Sequence, residues 1–115
     1  MLHITPDQFE SLVADALDAV PEEALERLEN VVFLIEDRPE DGSDLLGMYE
    51  GISLTERSFY GYGNMPDRIV LFRENLVAAC RDEEELRREI HITLMHEIAH
   101  CYGIPEERLH ELGWG

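Results

Sequence analysis

The sequence predicts a single α+β domain in which helices at both ends pack against a small mixed sheet. Apolar residues repeat with helical spacing near the N-terminus and again over the last long segment, which indicates amphipathic helices. Between them, Val31–Ile35 and Ile69–Phe72 are β-branched, apolar runs bounded by polar residues, as is typical of strands. No repeat, low-complexity tract or linker interrupts the chain, so residues 1–115 are expected to form one domain.

The first helix is predicted to begin at Thr5. Thr5 can cap the helix, Pro6 suits its first position, and Gln8 can complete a capping box. Pro21 ends this segment, because a proline ring cannot continue a helix. A second, shorter helical pattern follows around Leu25. The apolar side of the first helix consists of Phe9, Leu12, Val13, Ala16, Leu17 and Val20.

The middle of the chain predicts the sheet and one short helix. Val31–Ile35 is expected to be the buried central strand, since all five residues are apolar. Leu45–Glu50 is predicted as a second strand and Arg57–Tyr60 as a third. Ile69–Phe72 is predicted as a further buried strand, and Glu74–Cys80 as a short helix.

The last long helix is predicted to run from Asp82 to about Tyr102. Asp82 can cap it, with Glu85 three residues later in capping-box register. Gly103 is expected to end the helix, because glycine adopts a left-handed C-terminal cap at the lowest cost. Pro105 would then open a final turn or short helix.

Composition excludes several classes of function. The chain has 26 acidic residues against 9 Lys and Arg, a formal charge of −17. Nucleic acid and anionic membrane surfaces are therefore not expected as partners, since both need clustered cations. The longest apolar run is too short to span a membrane, and the N-terminus does not resemble a signal peptide. Cys80 and Cys101 are too few for a disulfide framework, which predicts a cytoplasmic protein with free thiols.

The segment His96–His100 has the spacing of a metal-binding motif. His96 and His100 are four residues apart, about 40° round a helix axis, so both imidazoles lean over one spot and can bind one zinc ion. Glu97 projects roughly 100° from His96 and would lie beside the metal, where a carboxylate can take a proton from water. The alternative is a solvated histidine pair on a surface helix of an acidic chain.

A zinc enzyme needs a third protein ligand. Gly103 allows the chain to reverse, and Glu106 is the first carboxylate after that reversal. His110 lies one helical turn further on and is the other candidate, because carboxylate and imidazole are both ordinary zinc ligands. We expect Glu106 to be the ligand, with His110 as the alternative.

Four other side chains could stabilise an oxyanion if the fold brings them near the metal, although packing or solvation is the more common role. They are Tyr49, Arg57, Tyr60 and Tyr62.

The segment from His96 to Glu106 resembles the metzincin signature His-Glu-x-x-His-x-x-Gly-x-x-His, with Glu106 in the third ligand position. It is more similar to the small bacterial zincin-like metallopeptidases, described as minimal matrix-metalloprotease-like domains, in which that position can be acidic. The similarity extends through Leu46–Tyr49 and Met65–Ile69. The resemblance implies a zincin-like core with the zinc on the long C-terminal helix, beside the edge strand of the sheet.

Two departures separate the chain from metzincins. No methionine follows Met95, so there is no methionine turn, and only nine residues follow Glu106. A partner, or a second copy of the chain, could supply the missing cleft wall. The resulting hypothesis is a zinc-dependent metallopeptidase for peptides or proteins, with Glu97 as general base. The alternative is a non-catalytic metal-binding or protein-interaction module, in which His110 closes the coordination shell.

Overall fold

The computed structural model describes residues 2–26, 28, 31–51 and 67–103. Along these residues two helices come first, then three strands of a small mixed sheet, then two further helices, which confirms the predicted α+β class. The third predicted strand and the segment after Gly103 lie outside the described residues. The elements are α1 (Pro6–Asp18), α2 (Glu22–Glu26), β1 (Val31–Glu36), β2 (Gly47–Glu50), β3 (Asp67–Phe72), α3 (Arg73–Ala78) and α4 (Glu83–Cys101).

Within the described residues the sheet has the strand order β1-β3-β2. β3 runs parallel to β1 and antiparallel to β2, so the sheet is mixed. The central strand is thus β3, and the prediction that Val31–Ile35 would be central was wrong for this part of the chain. Val32 is 39% exposed, whereas Ile69 and Val70 are fully buried. An apolar run shows that a strand is partly covered, but it does not show on how many sides it is paired.

Helix α1 begins as its capping residues predict. The Thr5 hydroxyl accepts a hydrogen bond from the backbone N–H of Gln8 at 3.1 Å, and the Gln8 side chain accepts one from the Thr5 N–H at 2.8 Å. Pro6 occupies the first turn. The buried side of the helix carries the predicted Phe9 and Leu12 and packs against α4. Helix α1 therefore supports the back of the helix on which the metal motif lies.

Helix α4 also has the predicted boundaries. Asp82 accepts a hydrogen bond from the backbone N–H of Glu85 at 2.8 Å. At the other end Gly103 has a φ of 82° and donates its N–H to the carbonyl of His100 at 2.9 Å. The Tyr102 hydroxyl donates to the carbonyl of Ala24, which joins the C-terminal end of α4 to α2. Both ends of α4 are thus fixed.

The hydrophobic core lies between the sheet and the helices. Residues of α1, β3 and α4 form one cluster, with Leu76 of α3 beside them. Among the described residues, no helix combines the length and the apolar character needed to cross a lipid bilayer. The largest fully buried side chains are Phe9, Phe72, Ile69, Leu76, Leu86, Ile90 and Leu94.

Candidate metal centre

The C-terminal half of α4 brings the two predicted histidines together. Their ring centroids lie 4.5 Å apart, and the ring planes meet at 73°. Both side chains are partly exposed, so the pair lies at the surface of the helix and not within the core. The four-residue spacing has thus produced the neighbouring imidazoles that it predicts.

Glu97 lies on the buried side of this pair. The residue is 6% exposed, and its Oε1 lies 3.2 Å from Nδ1 of His100. An ionised carboxylate only accepts hydrogen bonds, so an ionised Glu97 pairs with the tautomer of His100 that carries its proton on Nδ1. Nε2 of His100 then keeps the lone pair that a metal requires, because a neutral imidazole has one protonated nitrogen. A carboxylate in this position fixes both the tautomer and the ring orientation.

The donor atoms of the three side chains suit a metal ion. One nitrogen or carboxylate oxygen from each of His96, Glu97 and His100 lies within 4.8 Å of the others. Two neutral imidazoles and a carboxylate are the ligand types that zinc prefers in catalytic sites. The cluster is therefore compatible with a metal site on its donor chemistry and spacing.

A cleft of about 300 Å³ opens beside the cluster. One wall is α4, from Glu89 to Glu97, and the other is the start of β2 with the two leucines before it. A larger cavity of about 570 Å³ lies next to α3 and contains none of the predicted site residues. The smaller cleft is the relevant one, because His96 and Glu97 line it.

Gly47 determines how closely β2 approaches α4. A Cβ atom at this position would lie 2.8 Å from Cγ2 of Thr93 and 2.9 Å from the carbonyl oxygen of Val70. Both distances are shorter than van der Waals contact, so only glycine fits without movement. Thr93 precedes Glu97 by one helical turn. The absence of a side chain at Gly47 therefore sets the width of the cleft at the metal motif.

Of the other predicted site residues, only Tyr49 lies within the described part of the chain. Glu106 and His110 lie outside the described residues, and the third ligand stays a prediction. Arg57, Tyr60 and Tyr62 lie outside them too. The Tyr49 hydroxyl donates to Oδ2 of Asp67 at 2.8 Å, so its observed partner is a buried carboxylate.

Neither cysteine belongs to the metal cluster. Cys80 and Cys101 are free thiols, and both are buried. Burial, with smaller contributions from neighbouring carboxylates, raises the pKa of Cys80 to about 11. The Cys80 thiol therefore keeps its proton near neutral pH, which suits packing better than metal binding.

Sequence reasoning assigned no role to Asp67, Glu89 or Gly47. Asp67 is 3% exposed although aspartate is mostly a surface residue. Glu89 lines the cleft, and Gly47 sets its width. A glycine inside a predicted strand is a signal of close backbone approach and could have identified Gly47. The roles of Asp67 and Glu89 depend on tertiary contacts.

Comparisons with known proteins agree with this arrangement. A conserved hypothetical protein from Thermo thermophilus matches the structure with a TM-score of 0.60 and 24% sequence identity, covering 95% of this chain and 97% of that protein. At this identity the likeness shows the fold alone. No curated protein matches the chain. The family described as zincin-like metallopeptidase matches residues 28–114, which include the strands, α4 and the metal motif. The chain therefore belongs to the zincin-like metallopeptidase family.

Proposed function

We propose that the protein hydrolyses peptide bonds with a zinc ion held by His96, His100 and Glu106. The observation that carries the proposal is the His96–Glu97–His100 cluster, which borders a cleft beside β2. Two histidines on one helical turn and a carboxylate beyond the glycine stop are an appropriate ligand set for a catalytic zinc site. Such a site keeps one coordination position for water or substrate.

Bound zinc supplies two effects in such a site, because it polarises the substrate carbonyl and lowers the pKa of water to about 7. Glu97 acts as the general base and takes a proton from the water that attacks the peptide carbonyl. It then returns that proton to the amine as the carbon–nitrogen bond breaks. Its 6% exposure suits this role, because a buried carboxylate meets little competing solvent.

Glu97 also orients His100, because its Oε1 contacts Nδ1 of that residue. This contact is the observation that favours the alternative, a non-catalytic metal-binding module, since orientation alone would explain the position of Glu97. A substitution that keeps the hydrogen bond but removes the proton acceptor separates the two roles.

Glu97→Gln is this substitution. If Glu97 is the general base, the variant is expected to bind about one zinc per chain and to cleave peptides about 10²–10⁴-fold more slowly than the wild type. Elemental analysis gives the metal content, and mass spectrometry of digested peptide libraries gives the cleavage rates. Glu84→Gln, at an exposed position on the same helix, is the matched control and should cleave normally.

Three other results would contradict this assignment. Equal cleavage by the wild type and Glu97→Gln would remove Glu97 from the reaction. Loss of zinc from Glu97→Gln would make Glu97 a ligand. Full zinc occupancy in a wild type that cleaves no library peptide would favour the non-catalytic module.

The third ligand is tested by competition with a chelator. Glu106→Ala is expected to weaken zinc affinity by several orders of magnitude, because a direct bond to the metal is lost. His110→Ala should weaken it by about 10–100-fold at most, as expected for a residue that only supports a ligand. The reverse ranking would assign the third position to His110. A ligand at both positions would close the site and favour the non-catalytic module.

A second copy of the chain, or another protein, is proposed to complete the cleft between α4 and β2. The proposal is supported by the small volume of the cleft, which is at the lower end of the range for ligand sites.

A further inference from the structure

The cleft beside the metal motif extends along α4 beyond the proposed catalytic residues. It reaches from His96 back to Glu89, two helical turns earlier, and Ile92 and Thr93 lie between them. Leu45 and its neighbours form the opposite wall. A ligand that contacts His96 can therefore contact Glu89 without leaving the cleft.

Glu89 is a partly buried residue whose neighbours in the lining of the cleft include Leu45 and Ile92. It forms no ion pair with any residue in the described ranges, whereas Glu85, one turn before it, is 3.2 Å from Arg81. Leu45 faces it across the cleft, and Ile92 lines the same wall. A cationic side chain of a ligand in the cleft can pair with this carboxylate, and a hydrogen bond between two charged groups is stronger than one between neutral groups.

We infer that Glu89 is a specificity-determining residue that binds an arginine or lysine side chain of the substrate. This inference rests on the proposed function, because it takes the cleft as the place where a peptide lies. The net charge of −17 supports it, since the field of the whole chain attracts cationic peptides.

The spacing along α4 gives the position of the basic residue in the substrate. Glu89 and His96 are seven residues apart, which is about 10.5 Å along a helix. An extended peptide advances about 3.3 Å per residue. The basic side chain is therefore expected about three residues from the scissile bond, in a cleft whose remaining contacts are mainly aliphatic.

The test compares peptides that differ only in charge. Two decapeptide libraries are made, one with arginine and one with citrulline scanned through each position, and all other positions are uncharged. The zinc-loaded wild type should cleave the arginine peptides about 10-fold faster at one position, about three residues from the cleaved bond. Glu89→Gln should lose this preference, whereas Glu84→Gln should keep it.

Charge reversal distinguishes recognition from support of the fold. Glu89→Arg should disfavour arginine at the same position and favour glutamate there, which a merely destabilised enzyme would not do. An arginine preference that is the same in the wild type, Glu89→Gln and Glu89→Arg would overturn the inference. Cleavage with no charge preference in the wild type would also overturn it and would leave the proposed function intact.

A binding measurement separates the inference from the proposed catalysis. Zinc-loaded Glu97→Gln is titrated against fluorescein-labelled arginine and citrulline peptides, with Glu97→Gln/Glu89→Gln as the comparison. Tighter binding of the arginine peptides that depends on Glu89 supports the inference even if the wild type cleaves nothing. Equal affinity for both peptides would contradict it.

Discussion

Tyr49 and Asp67 form a polar contact at the edge of the core. Tyr49 is near the end of β2, and Asp67 begins β3, which pairs with β2. The hydrogen bond between them measures 2.8 Å, and Asp67 is 3% exposed. Burial of the hydroxyl, and next the hydrogen bond to Asp67, hold the pKa of Tyr49 well above its ordinary value near 10. The folded chain therefore retains this proton at a pH where the unfolded chain loses it. Stability from this group is complete below about pH 10 and falls as the pH rises further.

Tyr49→Phe tests this contact. At neutral pH the variant is expected to unfold with a free energy about 1–3 kcal/mol lower, because the buried carboxylate of Asp67 loses a hydrogen-bond donor. Above about pH 10 the difference from the wild type should shrink, since the variant has no hydroxyl to ionise at this position. Urea unfolding between pH 7 and 11 measures both effects. An identical alkaline loss in both proteins would show that Tyr49 does not contribute to it.

At the scale of elements, the contact between β2 and α4 controls the geometry of the site. Gly47→Ala is expected to lower the free energy of unfolding by about 1–3 kcal/mol, because the new methyl group would overlap Thr93 and the carbonyl of Val70. It should also weaken zinc binding, since Thr93 and Glu97 are one turn apart on the same helix. Chemical unfolding and a chelator titration measure the two effects.

A double variant serves as the control for this prediction. Gly47→Ala/Thr93→Ser removes the Cγ2 atom of Thr93 and should recover part of the stability, while the overlap with Val70 remains. Thr93→Ser alone reports the cost of losing that methyl group. If Thr93→Ser recovers no stability in the Gly47→Ala background, contact with α4 does not determine which side chain fits at position 47.

The elements differed in how well the sequence predicted them. The ends of α1 and α4 follow from local signals, because Thr5, Asp82 and Gly103 act on residues within one turn of themselves. The order of the strands does not follow from such signals. Val31–Ile35 is as apolar as Ile69–Phe72, yet β1 has one paired neighbour in the described sheet and β3 has two. Strand order depends on contacts between residues far apart in sequence.

The same distinction holds for the site. The clustering of His96, Glu97 and His100 could be predicted from the sequence because a single helix brings these side chains together, whereas their roles in metal binding and catalysis stay predictions. Glu89 could be placed on the same side of α4, but the cleft that it lines exists only because Leu45 and Gly47, before and at the start of β2, lie opposite the helix. The third ligand depends on the path of the chain after Gly103, which helical periodicity does not determine.

At the scale of the whole molecule, the N-terminal helices share a hydrophobic core with the family-matched region. The match covers residues 28–114, and α1 and α2 precede it. Yet Phe9 and Leu12 of α1 belong to the same core cluster as Ile90 and Leu94 of α4. The metal helix thus packs against residues that the match does not include.

The hydrogen bond from the Tyr102 hydroxyl to the Ala24 carbonyl affects which fragments of the chain can support the metal motif. This hydrogen bond joins Tyr102, at the C-terminal end of α4, to α2, which lies outside the family-matched region. A fragment cut at the boundary of that region would keep every proposed ligand, yet it would lose this attachment and the apolar support of α1. We therefore expect a fragment that begins at residue 28 to be less stable than the whole chain, although it contains the whole metal motif.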